Sequence, residues 1–359
     1  MKILIVTPDP DKSGGVANYY KTLSGSFSYD VDYFIMGSRT DKDGIVYDIK
    51  RLIIDYRGFV KKIKSVKYDL IVINPTLDAK SVLRDGRFIM LAKKHSMSKV
   101  IVFWRGFYLD FFDKYIMGRF RKVFSRIFFK ADAQIVLGSV FKKKLESIGC
   151  ISPVFCETTI VDDKFIIKKK REITSDRLNI LFLARVEKDK GIYEAIQAYE
   201  IVKKTNAIAR LTVAGNGFEL EEAKKYVIKN KIEDVGFLGD IRGKDKIEAF
   251  ENADVYLFPS YYEGMPNSVL EAMGMGLPVI TRNVGGVPDF FVNGEMGYIT
   301  DSFSPEVFAQ CIKKLFANIE LRKEMSDINT HFAKENFLKT IVLKRLENIF
   351  ATVVFKNKN

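Results

Sequence analysis

A chain of 359 residues, 47% of them hydrophobic, holds enough apolar material for two cores of ordinary size, which excludes global disorder. The formal charge of +13 asks for acidic partners, whether nucleotide phosphates, anionic lipid or nucleic acid, without choosing among them. Cys150, Cys156 and Cys311 form neither a metal-ligand spacing nor a disulfide framework, which favours a reducing compartment. The start reads as a strand rather than a secretory leader, and no apolar run is long enough to span a bilayer, so the expectation is a cytoplasmic protein.

In chain order, Met1–Val6 reads as a first parallel strand. A loop containing Gly14-Gly15 follows, then a helix from Val16 to about Phe27. No G-x-G-x-x-G is present, so the ordinary dinucleotide fingerprint is absent. Taken alone, the glycine pair suits either a tight turn or a close approach of backbone to a ligand. Short apolar runs at Val31–Ile35, Leu70–Ile73, Val100–Phe103 and Gln134–Leu137 read as further buried parallel strands, with helices between them such as Lys80–His95. Together they predict one doubly wound α/β domain. Asp30-Val-Asp32 has the form of a metal-binding D-x-D, but Asp32 starts a strand and nothing around it supports that use. Arg105, just past the fourth run, suits either contact with an anionic ligand or a structural ion pair.

The stretch Asp110–Lys130 carries Phe112, Tyr115, Ile116, Phe120, Val123, Phe124, Ile127 and Phe128 at helical spacing, interleaved with Arg119, Arg121, Lys122, Arg126 and Lys130. It predicts a helix with one face in the core and the other on anionic lipid, with Phe111 and Phe112 as candidates for entering the headgroup layer and Arg119, Arg121 and Lys122 as basic contacts. Nucleic acid is not the expected partner, because no binding motif for it is recognisable. The basic, strand-poor segment 164–176, with Lys168-Lys-Lys-Arg171, is the expected linker between domains, placed as 1–168 and 169–339.

The second half restarts the pattern at Leu178–Leu183, whose exit loop Ala184-Arg185-Val-Glu-Lys-Asp-Lys190-Gly191 puts two cations at a strand's carboxyl end. A strand and glycine turn, Arg210-Leu-Thr-Val-Ala-Gly215-Asn216-Gly217, and the segment Val235–Asp240 come next. Then Val255–Phe258 reads as a buried strand leading into Tyr261-Tyr-Glu263-Gly-Met-Pro-Asn267-Ser268-Val269-Leu-Glu271-Ala-Met-Gly-Met-Gly-Leu-Pro-Val-Ile280. Pro266 suits the first position of a helix running to about Met273, stopped by Gly274 and Gly276. Glu263 precedes that helix and Glu271 lies inside it, separated by seven residues. Between them the N–H groups of Asn267, Ser268 and Val269 are expected to point out of a helix N-terminus, which attracts phosphate. Carboxylates on either side of an anion site suit a ligand with hydroxyls at both ends and phosphates in the middle, the shape of a sugar nucleotide.

This stretch resembles the E-x7-E motif of the retaining GT-B glycosyltransferases of family 4, also called glycosyl transferases group 1. The family's G-R-x-x-x-x-K-G loop is similar to 184–191, with Ala184 in place of the first glycine. Its glycine turn is similar to Gly215-Asn216-Gly217. Further similar segments are Val235–Asp240 and the turns around Gly285, Gly286 and Gly294–Gly297. In the first half the resemblance is confined mainly to Gly14-Gly15. It implies two facing Rossmann-like domains with the active site in their cleft and a last helix, about 340–359, crossing back to the first. It further implies transfer of a hexose-type sugar from a nucleotide-sugar donor with retention of configuration. By motif position, Glu263 would contact hydroxyls of the transferred sugar and Glu271 the ribose. Arg185 and Lys190 would stabilise the leaving diphosphate, and Gly14, Gly15, Gly215, Asn216, Gly217, Asn267, Ser268 and Val269 would complete the donor site. No metal or other cofactor is expected, since the two cations serve the diphosphate. Many relatives carry a histidine where Trp104-Arg105-Gly106 stands, and His95 and His331 do not supply it, so Arg105 would meet donor phosphates or an anionic acceptor.

No residue of the first half offers a clear carboxylate nucleophile, which favours front-face attack with a donor phosphate oxygen taking the acceptor proton. The basic charge and the Phe/Arg segment suggest a lipid-linked glycan acceptor at the inner membrane face, and the motif form leans to a UDP-sugar. Two rivals stay open: a sugar-nucleotide 2-epimerase, disfavoured by the scarcity of histidine, and a degenerate sugar-nucleotide-binding or nucleic-acid-binding protein without transferase activity.

Overall fold

The computed structural model describes residues 1–9, 14–37, 45–167, 173–174, 176–205 and 208–355. The chain divides into two units, Met1–Thr159 with Lys339–Asn359, and Ile160–Leu338. Short hydrophobic runs with apolar side chains on both faces suit the buried strands of a parallel sheet covered by helices on both sides.

In the first unit these are β1 (Lys2–Pro8), α1 (Gly15–Leu23), β2 (Asp30–Met36), α2 (Ile45–Ser65), β3 (Leu70–Ile73), β4 (Thr76–Leu77), α3 (Ala79–His95), β5 (Lys99–Phe103), β6 (Gly106–Phe107), α4 (Leu109–Phe111), α5 (Arg121–Phe128), β7 (Ala133–Val136), α6 (Ser139–Ser147) and β8 (Val154–Cys156). The main sheet has the order β2-β1-β3-β5-β7-β8, with every pair parallel. Asp30 and Asp32 are used structurally: Lys2 pairs with Asp30 at 3.0 Å, and Tyr68 donates its hydroxyl to Asp32 at 2.5 Å.

The second unit repeats the plan with β9 (Leu178–Leu183), α7 (Ile192–Lys203), β10 (Ala209–Ala214), α8 (Leu220–Lys229), β11 (Val235–Gly239), α9 (Gly243–Asn252), β12 (Val255–Phe258), α10 (Asn267–Gly274), β13 (Val279–Arg282), β14 (Gly297–Thr300), α11 (Pro305–Ala317) and α12 (Ile319–Asn336). Its sheet is again all parallel, in the order β11-β10-β9-β12-β13-β14. The final helix, α13 (Lys339–Phe355), groups with the first unit. There Arg345 clamps the buried Glu157 through Nη2 at 2.7 Å, and Ser28 donates its N–H to Glu347 at 2.6 Å.

Three expectations from the sequence need correction. The units divide between residues 159 and 160 rather than 168 and 169. Phe165 is buried against Phe250, ring centroids 5.9 Å apart, and the Ile167 N–H donates to Gly274 O at 3.0 Å, so this stretch is bound into the second unit. Lys168–Arg171 lie outside the described residues.

The stretch 110–130 is not one helix. A wide turn over 112–116, closed by Met117 N–H to Phe112 O at 2.9 Å, separates α4 from α5. The break lets Phe112 drop into the core against Phe107 (5.4 Å) while Phe124 and Phe128 pack on the buried Trp104. Phe112 is 0% exposed and is therefore no membrane contact. Phe111 is half-buried beside Tyr115 (5.3 Å), and Arg119, Arg121 and Lys122 are exposed.

Finally, Pro266 is the N-cap of α10 rather than its first residue, and the Val269 N–H is taken by Pro266 O at 3.1 Å. Val269 is itself fully buried, so it offers nothing to a ligand.

Candidate functional site

The chemistry-bearing residues of the second unit gather at the carboxyl ends of β9, β10 and β12, where strand ends release backbone into loops. The β9 exit loop is pressed against the β10 exit loop: Ala184 N–H donates to Ala214 O at 3.1 Å and Val186 N–H to Asn216 O at 3.0 Å. This contact is why Gly215 is glycine. Its φ is +136°, and a Cβ would lie 1.8 Å from Ala184 O. Gly215→Ala is expected to cost about 2–4 kcal/mol, through overpacking and backbone strain. Urea unfolding of the full chain measures this; an unchanged midpoint would mean that the loops do not touch.

The same β9 loop is tied to the one carrying the first carboxylate. Tyr261 N–H donates to Asp189 O at 2.8 Å, and Ser260 Oγ lies 3.3 Å from that oxygen. Lys190 crosses over, with Nζ 2.8 Å from Glu263 Oε1 and 3.2 Å from Tyr262 O. Ser260 Oγ donates to the same Glu263 oxygen at 2.9 Å. Glu263 therefore stands in a fixed orientation, its loop closed from below by Gly286 N–H to Gly264 O at 2.8 Å. Arg185 is different. It is exposed and holds Glu187 through Nη1 at 2.8 Å.

Glu271 lies on α10 and is buried, 8% exposed. Burial pushes its carboxyl above the usual carboxylate range, and Lys246 beside it pulls in the opposite direction. Lys246 Nζ approaches Glu271 Oε1 at 2.8 Å and Oε2 at 2.6 Å, and also lies 5.0 Å from the centre of the Phe165 ring. Lys246 was not picked out from the sequence. The signal was thin: one lysine on a polar helix, Gly243–Asn252, with no motif around it. Asn267 and Ser268 open the helix between the two carboxylates.

Glu263, Glu271, Asn267 and Ser268 thus lie on the loop-and-helix unit 259–274, which Lys190 reaches from the β9 exit loop, with Arg185 and Gly215-Asn216-Gly217 on the adjoining loops. Gly14, Gly15 and Arg105 belong to the first unit. Among the described residues, a Cβ at Gly14 or Gly15 would meet nothing within 4 Å. Arg105 lies over the rings of Tyr19 (3.8 Å) and Phe103 (4.3 Å), and its Nε and Nη1 are buried without hydrogen-bond partners. Among the described residues Arg105 makes no ion pair, so the structural ion-pair alternative is not seen there. Burial drives the Tyr19 hydroxyl up to about 12, against the pull of the Arg105 guanidinium. Among the described residues, no group of three or more His, Cys, Asp or Glu could hold a metal ion.

Known proteins are similar to this chain in sequence and fold. Residues 163–332 match the family model described as glycosyl transferases group 1. The chain is 29% identical over 195 residues to the capsular polysaccharide biosynthesis glycosyltransferase CapM of Staphylococcus aureus, covering 54% of this chain and 50% of that protein. It is 26% identical over 215 residues to the amylovoran biosynthesis glycosyltransferase AmsK of Erwinia amylovora, covering 57% and 53%. The chain thus spans about half the length of the curated relatives it matches. Over the whole chain, the fold is similar to that of sucrose-phosphate synthase from Thermosynechococcus elongatus, with TM-score 0.78, 18% identity and 98% of both chains covered. It is also similar to that of Anabaena HepE in complex with UDP and glucose, with TM-score 0.73, 15% identity and 98% and 100% covered. Residues 163–332 are thus similar to the glycosyl transferases group 1 family, and the fold of the chain is GT-B.

Proposed function

We propose that this protein is a retaining glycosyltransferase that moves a hexose-type sugar from a UDP-sugar to a lipid-linked glycan acceptor during surface polysaccharide assembly. The observation that carries the reading is the paired cation–carboxylate arrangement around α10: Lys190 with Glu263 at 2.8 Å before the helix and Lys246 with Glu271 within it. Each carboxylate is oriented by its lysine and keeps oxygen lone pairs for ligand hydroxyls. The N-terminus of α10 between them carries partial positive charge for the diphosphate. In this reading Glu263 binds the transferred sugar and Glu271 the ribose. Arg185 swings from Glu187 to the diphosphate and, with Lys190, offsets the charge that builds on the leaving group. The acceptor hydroxyl attacks from the front face and its proton passes to a donor phosphate oxygen. With those cations in place no metal is needed, and transfer is expected to be insensitive to EDTA. The names of CapM and AmsK support the polysaccharide setting, and the UDP and glucose bound by HepE support the donor class.

The test is a panel of sugar nucleotides followed by thermal shift and nucleotide release. A ligand bound only by the native state adds RT ln(1 + [L]/Kd), about 2.7 kcal/mol at a hundredfold excess over Kd. One UDP-sugar raising the melting temperature and releasing UDP with acceptor is the expected result. Silence across the panel would remove the transferase reading.

For the membrane part, the outer side of 115–126 supports the reading. Tyr115, Met117, Phe120 and Val123 are exposed among Arg119, Arg121, Lys122 and Arg126. Replacing Phe120 by Ser with Arg121 and Lys122 by Gln is expected to lower flotation with phosphatidylglycerol vesicles by roughly tenfold or more, at about 1 kcal/mol per basic residue. Equal flotation of variant and wild type would count against docking through this tip.

A further inference from the structure

Between α2 and α3 the structure leaves an open groove of about 480 Å³, within the range of ligand-sized sites. Its lining is Ile53, Tyr56, Val60 and Leu91, together with the exposed cations Arg57, Lys61 and Arg87. The helix α2 is amphipathic in an unusual way. Phe59 and Ile63 are buried in the core, yet Ile49, Ile53 and Ile54 are exposed to water at 54%, 44% and 65%. Isoleucines one turn apart on the outer side of a helix gain nothing there unless something apolar covers them.

The charges narrow the occupant. The neighbouring carboxylates are already used: Asp55 is buried and accepts from Gly37 N–H at 3.1 Å, Asp85 holds Arg84 at 2.8 Å, and Asp48 holds Arg51 at 3.0 Å. Arg57, Lys61 and Arg87 make no ion pair among the described residues. Among the described residues the charged edge of this apolar slot is cationic, which complements a molecule with a hydrocarbon chain and an anionic head. A second copy of this +13 chain fits that charge poorly. The groove also continues a helical layer. Tyr56 and Phe59 of α2 pack on Phe88 of α3 (4.9 and 5.1 Å), and Gly86 of α3 approaches Ile127 of α5, where a Cβ would lie 3.1 Å from Cγ2. The exposed Met117, Phe120 and Val123 lie on and just before α5, so cations and bare apolar groups recur along this side of the first unit.

We propose that this groove seats one acyl chain of an anionic phospholipid, with the headgroup phosphate held by Arg57 and Arg87 and with Lys61 beside it. The inference deepens the membrane part of the proposed function by adding a lipid-binding slot separate from the 115–126 tip. It needs no assumption about the transferase chemistry.

The experiment uses the full chain. Flotation with phosphatidylcholine vesicles, with and without phosphatidylglycerol, is combined with thermal shift by monomeric dodecyl phosphate, dodecanol and inorganic phosphate. The proteins are wild type, R57Q/R87Q and the tip variant F120S/R121Q/K122Q. Dodecyl phosphate is expected to protect wild type and the tip variant alike, and its Kd to rise roughly 30-fold in R57Q/R87Q, as two lost phosphate contacts imply. Flotation with phosphatidylglycerol vesicles is expected to fall in both variants. Equal dodecyl phosphate binding by wild type and R57Q/R87Q, no binding by wild type, or equal protection by inorganic phosphate alone would overturn the proposal. UDP protection, measured in parallel, is expected to be the same in all three proteins. Its absence would count against the transferase reading and leave the groove result standing.

Discussion

Lys190→Ala is expected to lower kcat by about 10²–10³-fold, with a smaller change in KM for the donor. Two effects combine. In the proposed function the cation facing the leaving diphosphate is lost, and so is the bond that fixes Glu263, since Lys190 Nζ and Ser260 Oγ share the Glu263 Oε1 oxygen at 2.8 and 2.9 Å. The Lys190 side chain is only 12% exposed and that of Glu263 15%, so water replaces the lost partner poorly. The amine also holds Tyr262 O at 3.2 Å, and its removal loosens the loop before α10. Steady-state transfer assays on the donor identified by the panel measure the effect, with Lys190→Arg as a charge-preserving companion. A KM rise with unchanged kcat would show that Lys190 binds ground state and transition state equally, and the leaving-group role would then be withdrawn.

Glu271→Gln is expected to remove most donor-induced stabilisation and to raise the donor Kd by about 10–150-fold, the value of a hydrogen bond to a charged acceptor. Glutamine keeps the shape of the side chain while losing the charge that, in the proposed function, receives the donor hydroxyls. Alanine is the poorer test, because it would strand the Lys246 ammonium, 22% exposed, without its partner. The pH dependence gives an independent readout. Burial raises the Glu271 carboxyl above the usual range. It therefore takes up its proton at a higher pH than an exposed glutamate, and donor affinity in the wild type is expected to fall as pH drops through that raised value. The same shift means that the folded protein binds this proton more readily than the unfolded chain, so Glu271 taken alone stabilises the fold as pH falls and opposes it when ionised. In Glu271→Gln the acid-dependent loss of donor affinity is expected to vanish. A pH profile identical in variant and wild type would remove Glu271 from the donor site.

The legible parts of this protein were those with strong local causes. Leu178–Leu183 and Val255–Phe258 were readable to the residue because a short run of apolar side chains bounded by polar or turn residues has one stable home, a strand covered on both faces. The spacing of Glu263 and Glu271 was readable because strand end, proline and helix follow each other without interruption. The sequence by itself determined two parallel α/β sheets and the set of charged groups at their strand ends.

What it could not determine was who pairs with whom. Lys190 and Glu263 are 73 positions apart, and Lys246 and Glu271 are 25 apart. No local pattern encodes either pair; the first joins two loops that parallel strands deliver to one edge of the sheet, and the second joins the helices α9 and α10. The same cause lies behind the corrections. Phe112 fits a solvent-facing helical stripe by spacing, but a wide turn rotates it onto Phe107. Val269 sits at a helix start by pattern, but its N–H is consumed by the cap residue Pro266. Periodicity states which residues want to be covered. Only the tertiary structure decides what covers them, because burial is settled by the sum of contacts from elements far apart in the chain.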